Sequence, residues 1–422
     1  MVEQIQTIIV KPGYKQTELG VIPEDWEVKQ VKEFTNATTG GTPSTFIPRY
    51  WGGKIRWMNS GELNNKNIYD VEGRITEEGL KNSATRLIPS KCVLIGLAGQ
   101  GKTRGTVAIN FVDLCTNQSI GAILPNSSFE PLYLYYNLDS RYYELRNLST
   151  GGGGRGGLNL TIIKNLLIPL PPTTHEQFAI AQILLDVDSL IESLDKLIEK
   201  KKNIKQGDMQ ELLTGKKRLP GFKGEWEVKK LGEIAKIFDG THQTPKYVDD
   251  GIQFFSVENI TNDNFTNTKF ISEREHKILT KNYKIESGDI LMTRIGSIGD
   301  CKLINWDVNA SFYVSLALLK IRKDISSDYI YQYSKTNNFK IETEIRSLQW
   351  AIPKKINLGD ISEIKISIPK TKEEQSSISQ ILSDMDTEIE ELEQKRDKYK
   401  MIKEGMMQQL LTGSIRLKWK KD

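Results

Sequence analysis

The sequence predicts an α+β protein: two similar mixed α/β domains joined by two long antiparallel helices that form a coiled coil, with an internal pseudo-two-fold. The first observation behind this is self-similarity, the mark of a repeated structural unit. WEVKQV from Trp26 recurs as WEVKKL from Trp226, HEQFAIAQILLDVDSLI from His175 as EEQSSISQILSDMDTEI from Glu373, and MQELLTGKKRL from Met209 as MQQLLTGSIRL from Met407. The last two pairs share an offset of 198 positions. The second observation is length: 422 residues exceed what one hydrophobic core usually supports, so the repeat corresponds to two domains. The third is a helical apolar period that follows each domain.

In chain order, residues 1–172 form the first domain and 173–215 a long helix; 216–370 form the second domain and 371–422 a second long helix with a C-terminal tail. Within the domains, short apolar runs between Gly, Asn and Pro punctuation read as strands, among them Val93–Leu97, Ile120–Leu124, Ile290–Met292 and Leu316–Ile321. Each domain closes on an apolar strand ended by proline, LLIPLPP from Leu166 and ISIPK from Ile366. The loops between corresponding elements differ, most clearly GGGGRGG from Gly151 against RSLQWAIPKK from Arg346. A shared scaffold with unlike loops suggests one task performed on two targets, because loops carry specificity.

Thr173 with Glu176, and Thr371 with Glu374, have capping-box spacing, in which hydroxyl and carboxylate satisfy backbone donors at a helix start. From there Ile180, Ile183, Val187, Leu190, Leu194 and Leu197 recur in steps of three and four, as along a two-helix seam. The second copy offers Ile378, Ile381, Met385, Leu392, Tyr399 and Ile402, with Glu388 and Lys395 interrupting and Ile389 one position away. Gly215 and Gly413 suit the left-handed residue that stops a helix. Each helix is about 40 residues, or about 60 Å at about 1.5 Å per residue. A helix this long with one apolar stripe needs a partner, and a duplicated unit closes on itself only if its helices run antiparallel. The alternative is two helices that each pack on their own domain alone.

Composition bounds the chemistry. Lys and Arg total 58 against 54 Asp and Glu, a net charge of +4, so contact with nucleic acid must come from local basic patches. No apolar run approaches membrane-spanning length, and MVEQIQTIIVKPGYKQ lacks the pattern of a signal peptide, so a cytoplasmic protein is expected. Cys92, Cys115, Cys301, His175, His242 and His276 show no metal-ligand spacing, so no metal is expected, and Cys92 in CVLIGLA reads as a buried hydrophobe.

Gly96–Thr103, GLAGQGKT, matches the phosphate-binding pattern G-x-x-x-x-G-K-[ST], which suggests a nucleotide triphosphatase using Lys102 and Thr103. Such a loop must open a helix, however, and RGTVAINFV follows with residues that favour a strand. The second copy has RIGSIGD at this place, so the scaffold does not require the motif. Glu-x-Lys triplets at Glu27, Glu227, Glu275 and Glu363 lack the Pro-Asp partner of a nuclease centre. No G-x-S-x-G run and no N-P-P-Y or D-P-P-Y run is present, so no catalytic residue is expected.

Loop residues with base-reading or phosphate-binding chemistry are Arg56, Asn59, Asn64, Asn65, Lys66, Gln100, Lys102, Arg104 and Arg155 in the first half. In the second half they are His242, Lys246, Asn259, Asn262, Arg294, Arg346, Lys354 and Lys355.

WEVKQV, IPLPPTTHEQ, the D-x-D after ILL, and LLTG followed by R-L, each in duplicate, resemble the specificity subunits of type I restriction-modification systems. The resemblance covers nearly the whole chain. It implies two target-recognition domains, each reading one half of a bipartite target in double-stranded DNA, with the helices fixing the unread gap. It also implies docking of two modification (methyltransferase) subunits, which bring S-adenosylmethionine, and of motor-nuclease subunits that use ATP and Mg where restriction is active. The chain itself would bind no cofactor. A coiled-coil adaptor without a DNA role is the other alternative; its two surfaces should match, whereas these loops diverge.

Overall fold

The computed structural model describes residues 10–99, 101–148 and 157–417. The chain divides into two compact units, one made of the residues up to Leu194 together with those from Lys395 onward, the other of Asp195–Gln394.

In the first unit, Ala37–Thr39, Ile120–Ile123, Val93–Gly96 and Val107–Asn110 lie side by side as antiparallel neighbours, with Asn67–Ile68 added in parallel at one edge. The central strands are buried on both faces, which explains their unbroken apolar runs. A second sheet orders Arg74–Ile75, Trp51–Met58, Leu114–Thr116 and Leu87–Ile88. Glu27–Gln30 pairs with Leu167–Leu170, tying the start of the domain to its end.

The second unit repeats this plan. Ala235–Asp239, Leu316–Ile321, Ile290–Thr293 and Cys301–Leu303 form an antiparallel sheet. Tyr247–Val248, Lys269–Ile271, Ile252–Phe255 and Ala310–Phe312 form the second sheet, and Glu227–Lys230 closes on Lys365–Ile368. The expected strands are therefore present at their expected places.

The long helices are Thr174–Leu212 and Lys372–Leu410, 39 residues each. Thr173 Oγ1 accepts from the Glu176 amide at 3.2 Å and Thr371 Oγ1 from the Glu374 amide at 3.4 Å. The glutamates do something the spacing did not suggest. Each carboxylate is held in a two-pronged fork by an arginine from the other copy's helix terminus: Glu176 by Arg416 at 2.7 and 2.9 Å, and Glu374 by Arg218 at 2.7 and 2.8 Å. Both glutamates are buried, and the planar guanidinium supplies the charge-assisted bonds a buried carboxylate needs.

Within each unit, the beginning of one long helix therefore lies against the end of the other, and the segments run antiparallel. In the first unit Asp188 pairs with Lys403 at 2.7 Å. In the second, Lys202 pairs with Glu393 at 2.5 Å and Lys205 with Asp386. Leu410 and Leu411 complete the first core beside Trp26, Tyr133, Ile180 and Leu184. Leu212 and Leu213 complete the second beside Leu231, Tyr329, Ile378 and Leu382. Gly413, at φ +67°, would place a Cβ 3.2 Å from the Trp26 ring and 2.5 Å from Pro23; Gly215, at φ +74°, would place one 3.2 Å from the Trp226 ring. These glycines stop the helices and admit the indoles.

The expected apolar stripe needs one correction, the same in both helices. Ile180, Val187, Leu194, Ile378, Met385, Leu392 and Tyr399 lie on the sheltered track. Ile183 is half-buried beside it, and Leu190, Leu197, Ile381 and Ile402 are each more than a third exposed. Leu184, Ile191, Ile198 and Lys205 continue the first track, and Leu382, Ile389, Arg396 and Lys403 the second. Steps of three and four alternate as expected but begin with four, so alternate positions move by one. Charged residues thereby enter the track, which a search for apolar residues passes over.

Candidate nucleic-acid interface

Five of the nine expected DNA-contacting residues of the first unit lie along one short segment, 56–66. Trp51–Met58 delivers Arg56, whose Nε donates to Asp70 at 2.8 Å, and runs into the 3₁₀ turn Ser60–Asn65. Asn59 caps that turn, its side-chain Oδ1 accepting from the Gly61 amide at 2.8 Å. Asn64 donates to the Gly61 carbonyl at 2.9 Å, and Asn65 is exposed. Lys66 follows at φ +60° and donates to Asp139 at 2.6 Å. Asn59, Asn64 and Asn65 thus combine exposure with a braced backbone, whereas Arg56 and Lys66 already carry an acidic partner.

Gly96–Thr103 connects two antiparallel strands, Val93–Gly96 and Val107–Asn110. Gly96 and Gly105 are joined by a backbone bond of 2.9 Å, and no helix begins among the described residues of this connection. The phosphate-loop reading therefore lacks its geometry: none of the described residues here supplies the helix N-terminal amides that hold a phosphate. Lys102 is exposed on this connection and Arg104 half-buried. Gln100 and Arg155 lie outside the described residues.

In the second unit the residues divide by burial. Arg294, proposed from sequence as a base reader, is 7% exposed and donates to Asp239 at 2.5 Å and to the carbonyls of Ile356 and Val314 at 3.2 Å. Its guanidinium is committed inside the domain, so it acts as a brace. Asn259 is likewise buried, accepting from the Ser256 amide at 2.8 Å and donating to the Asn264 carbonyl at 2.9 Å. His242 is exposed and bonded to the other oxygen of Asp239 at 2.8 Å, while Lys246 and Asn262 are exposed.

Arg346, Lys354 and Lys355 come together at the root of a projecting loop. Lys355 bridges to both Ile295 and Leu348, and the Leu348 amide donates to the Lys355 carbonyl at 2.7 Å. Arg346 pairs with Glu342 at 2.8 Å and Lys354 with Glu344, while Lys355 is exposed. Trp350 and Ile352 stand exposed at the tip of this loop; being apolar, they carry no base-edge or phosphate hydrogen-bonding pattern by which sequence could single them out.

Burial pushes the Cys92 thiol up to about 12 and the Cys115 thiol to about 11, which suppresses the nucleophilic thiolate. The Glu27 and Glu227 carboxylates are paired with Lys29 and Lys229 on the surface. No group of three or more metal-binding side chains is found among the described residues, and no described helix is long and apolar enough to cross a membrane.

Two like scaffolds that carry unlike polar loops define a paired-domain recognition protein. A family model for the type I restriction modification DNA specificity domain matches the chain twice, over residues 23–205 and 223–399. The chain belongs to that family. It is 33% identical over 246 residues to the type I restriction enzyme MjaIX specificity subunit of Methanocaldococcus jannaschii, an alignment covering 54% of this chain and 56% of that protein. It is 25% identical over 424 residues to the MjaVIII specificity subunit of the same organism, covering 94% of each. Its fold matches the crystal structure of the type I restriction-modification S subunit from M. genitalium with a TM-score of 0.61 at 17% identity, over 94% of this chain and 97% of that one. The protein is accordingly a type I specificity subunit with two target-recognition domains, a recognition component and not a catalyst.

Proposed function

We propose that the two domains, 1–172 and 216–370, each read one half of a bipartite site in double-stranded DNA. The helices at 173–215 and 371–422 form a coiled-coil spacer that fixes the unread gap. The observation that carries this reading is the repeated scaffold with replaced loops: strands and interlocking helix termini recur, while GGGGRGG at 151–157 stands against RSLQWAIPKK at 346–355. Exposed Asn59, Asn64, Asn65 and Lys102 in one half, and His242, Lys246, Asn262 and Lys355 in the other, supply adenine-edge, guanine-edge and phosphate chemistry. A helix of about 60 Å exceeds the 34 to 36 Å after which equivalent positions recur on one side of DNA.

The repeated helix surfaces suit two copies of one partner, and we assign them to two modification subunits that bring S-adenosylmethionine. Motor-nuclease subunits using ATP and Mg join where restriction is active, and the assembly works on DNA in the cytoplasm. The test is to map N6-methyladenine in DNA exposed to the chain plus its modification subunit. A two-part motif with a fixed gap is expected; methylation at a continuous motif, or at unrelated sites, rejects the reading.

A further inference from the structure

The loop between Leu348 and Lys355 presents a physical contradiction. Its root is fixed: Leu348 and Lys355 pair, Ile295 pairs with Lys355, and the Gly296 amide donates to the Lys354 carbonyl at 2.8 Å. Ser347 and Ile356, on either side, are buried. Yet the tip holds Trp350 at 96% exposure and Ile352 at 101%. Exposed apolar side chains of this size, held out on a braced loop, mark a contact surface.

Three observations favour DNA as what covers them. The root carries Arg346 and Lys354, which are paired with Glu342 and Glu344, and Lys355, which is exposed beside the tip. The root adjoins Arg294 through Ile356, and the Arg294 partner Asp239 also holds exposed His242, so the base of the loop and a second candidate DNA contact are fixed by one internal brace. Lastly, the first copy has GGGGRGG at this place. A partner subunit that docks on both copies needs features common to both, whereas a feature of one copy alone fits what differs between them, the half-site.

Resting on the function proposed above, we propose that Gln349–Pro353 is a wedge. Trp350 and Ile352 enter the duplex and unstack one base step in the half-site read by the second domain. Apolar side chains used this way open a step and bend the duplex, and the cost depends on the step, being least for flexible pyrimidine–purine steps. The wedge would thus specify sequence without hydrogen-bonding a base edge.

The experiment uses the full chain with its modification subunits and a duplex bearing the methylation-mapped motif, with 2-aminopurine at successive positions of the second domain's half-site. One or two adjacent positions should brighten on binding, and Trp350→Ala should abolish the signal. It should also weaken binding about ten- to a hundredfold. Trp350→Phe should restore both, and the melting temperature should stay unchanged because the indole packs on nothing internal. Preference at the first half-site should be unaltered. The wedge is overturned if no position brightens with the wild-type complex, or if Trp350→Ala binds with wild-type affinity. It is also overturned if that variant loses the modification subunit on co-purification, which would make the tip a protein contact. A wild-type complex that recognises no two-part motif would instead reject the functional reading itself, and the wedge with it.

Discussion

Lys403 donates to Asp188 at 2.7 Å, and Lys205, 198 positions earlier, meets Asp386, 198 positions after Asp188. The same ion pair is made twice, each time between a residue of one helix and a residue of the other. Around Asp386 it is reinforced by Lys335 at 3.4 Å and Gln332 at 3.3 Å; around Asp188, by the Tyr136 hydroxyl at 2.8 Å.

The two partners of the second pair contribute unequally. Burial outweighs the Asp386 hydrogen bond at Lys205 and lowers its pKa, so the ammonium is held at a cost. Lys205→Met removes that cost and leaves the Asp386 carboxylate, 42% exposed, to Lys335 and Gln332, so it should cost less than loss of the carboxylate, about 1–2 kcal/mol. Asp386→Ala strands that ammonium and should cost about 2–4 kcal/mol, below the fully buried range because the carboxylate is partly solvated. Urea midpoints of the two variants check the order; equal losses would contradict it.

Burial alone would raise the Asp386 carboxyl, but the Lys205 hydrogen bond and the Lys335 and Lys205 charges outweigh it and hold it below the usual carboxylate range. A lowered folded value means that the stabilisation is complete above the unfolded value of about 3.9 and is lost as pH falls through the folded one. The wild-type urea midpoint should therefore drop between about pH 5 and about pH 2 more steeply than that of Asp386→Asn. Parallel curves would remove Asp386 from the acid response.

Removing residues from Leu410 onward should destabilise the unit that contains Trp26 and leave the other unit's unfolding unchanged, because Leu410, Leu411 and Arg416 serve the first core. Arg416→Ala alone strands buried Glu176 and should cost about 3–5 kcal/mol. Arg416→Lys should recover only part of that, since an ammonium cannot make the fork. Hydrogen exchange resolved by unit is the measurement, and equal loss of protection in both units is the contrary result.

Arg294 and Lys355 should separate stability from binding. Arg294→Ala leaves the Asp239 carboxylate without its buried partner and should cost about 3 kcal/mol or more of stability. Lys355→Ala should leave stability unchanged, weaken DNA binding across sequences and reduce the salt slope by about 1. Thermal melts and binding titrations at several salt concentrations distinguish them.

Much of the fold was legible in the sequence because repetition calibrates itself. Each apolar run or proline stop in one copy has its counterpart in the other, which marks strands such as Val93–Gly96 and Ile290–Thr293. The helix-terminal interlock was not legible. Glu176 and Arg416 both stand in repeated motifs, but nothing local says that the arginine of one copy serves the glutamate of the other. The buried track is not fixed by apolar spacing: Ile183 and Leu184, Leu190 and Ile191, and Leu197 and Ile198 stand side by side, so two stripes fit the first helix equally, and Lys205, Arg396 and Lys403 occupy the true track as ion-pairing residues. The candidate interface was legible only as residue types. Arg294 and Asn259 have the chemistry of base readers, and only their burial shows that they brace the domain; Trp350 has the chemistry of a core residue, and only its exposure shows otherwise.

The most direct test of the central claim is exchange of residues 220–370 for those of another family member, followed by mapping of N6-methyladenine with the modification subunit present. One half of the two-part motif should change while the other half and the gap persist. A change in both halves, or in neither, would contradict two independent readers on a shared spacer.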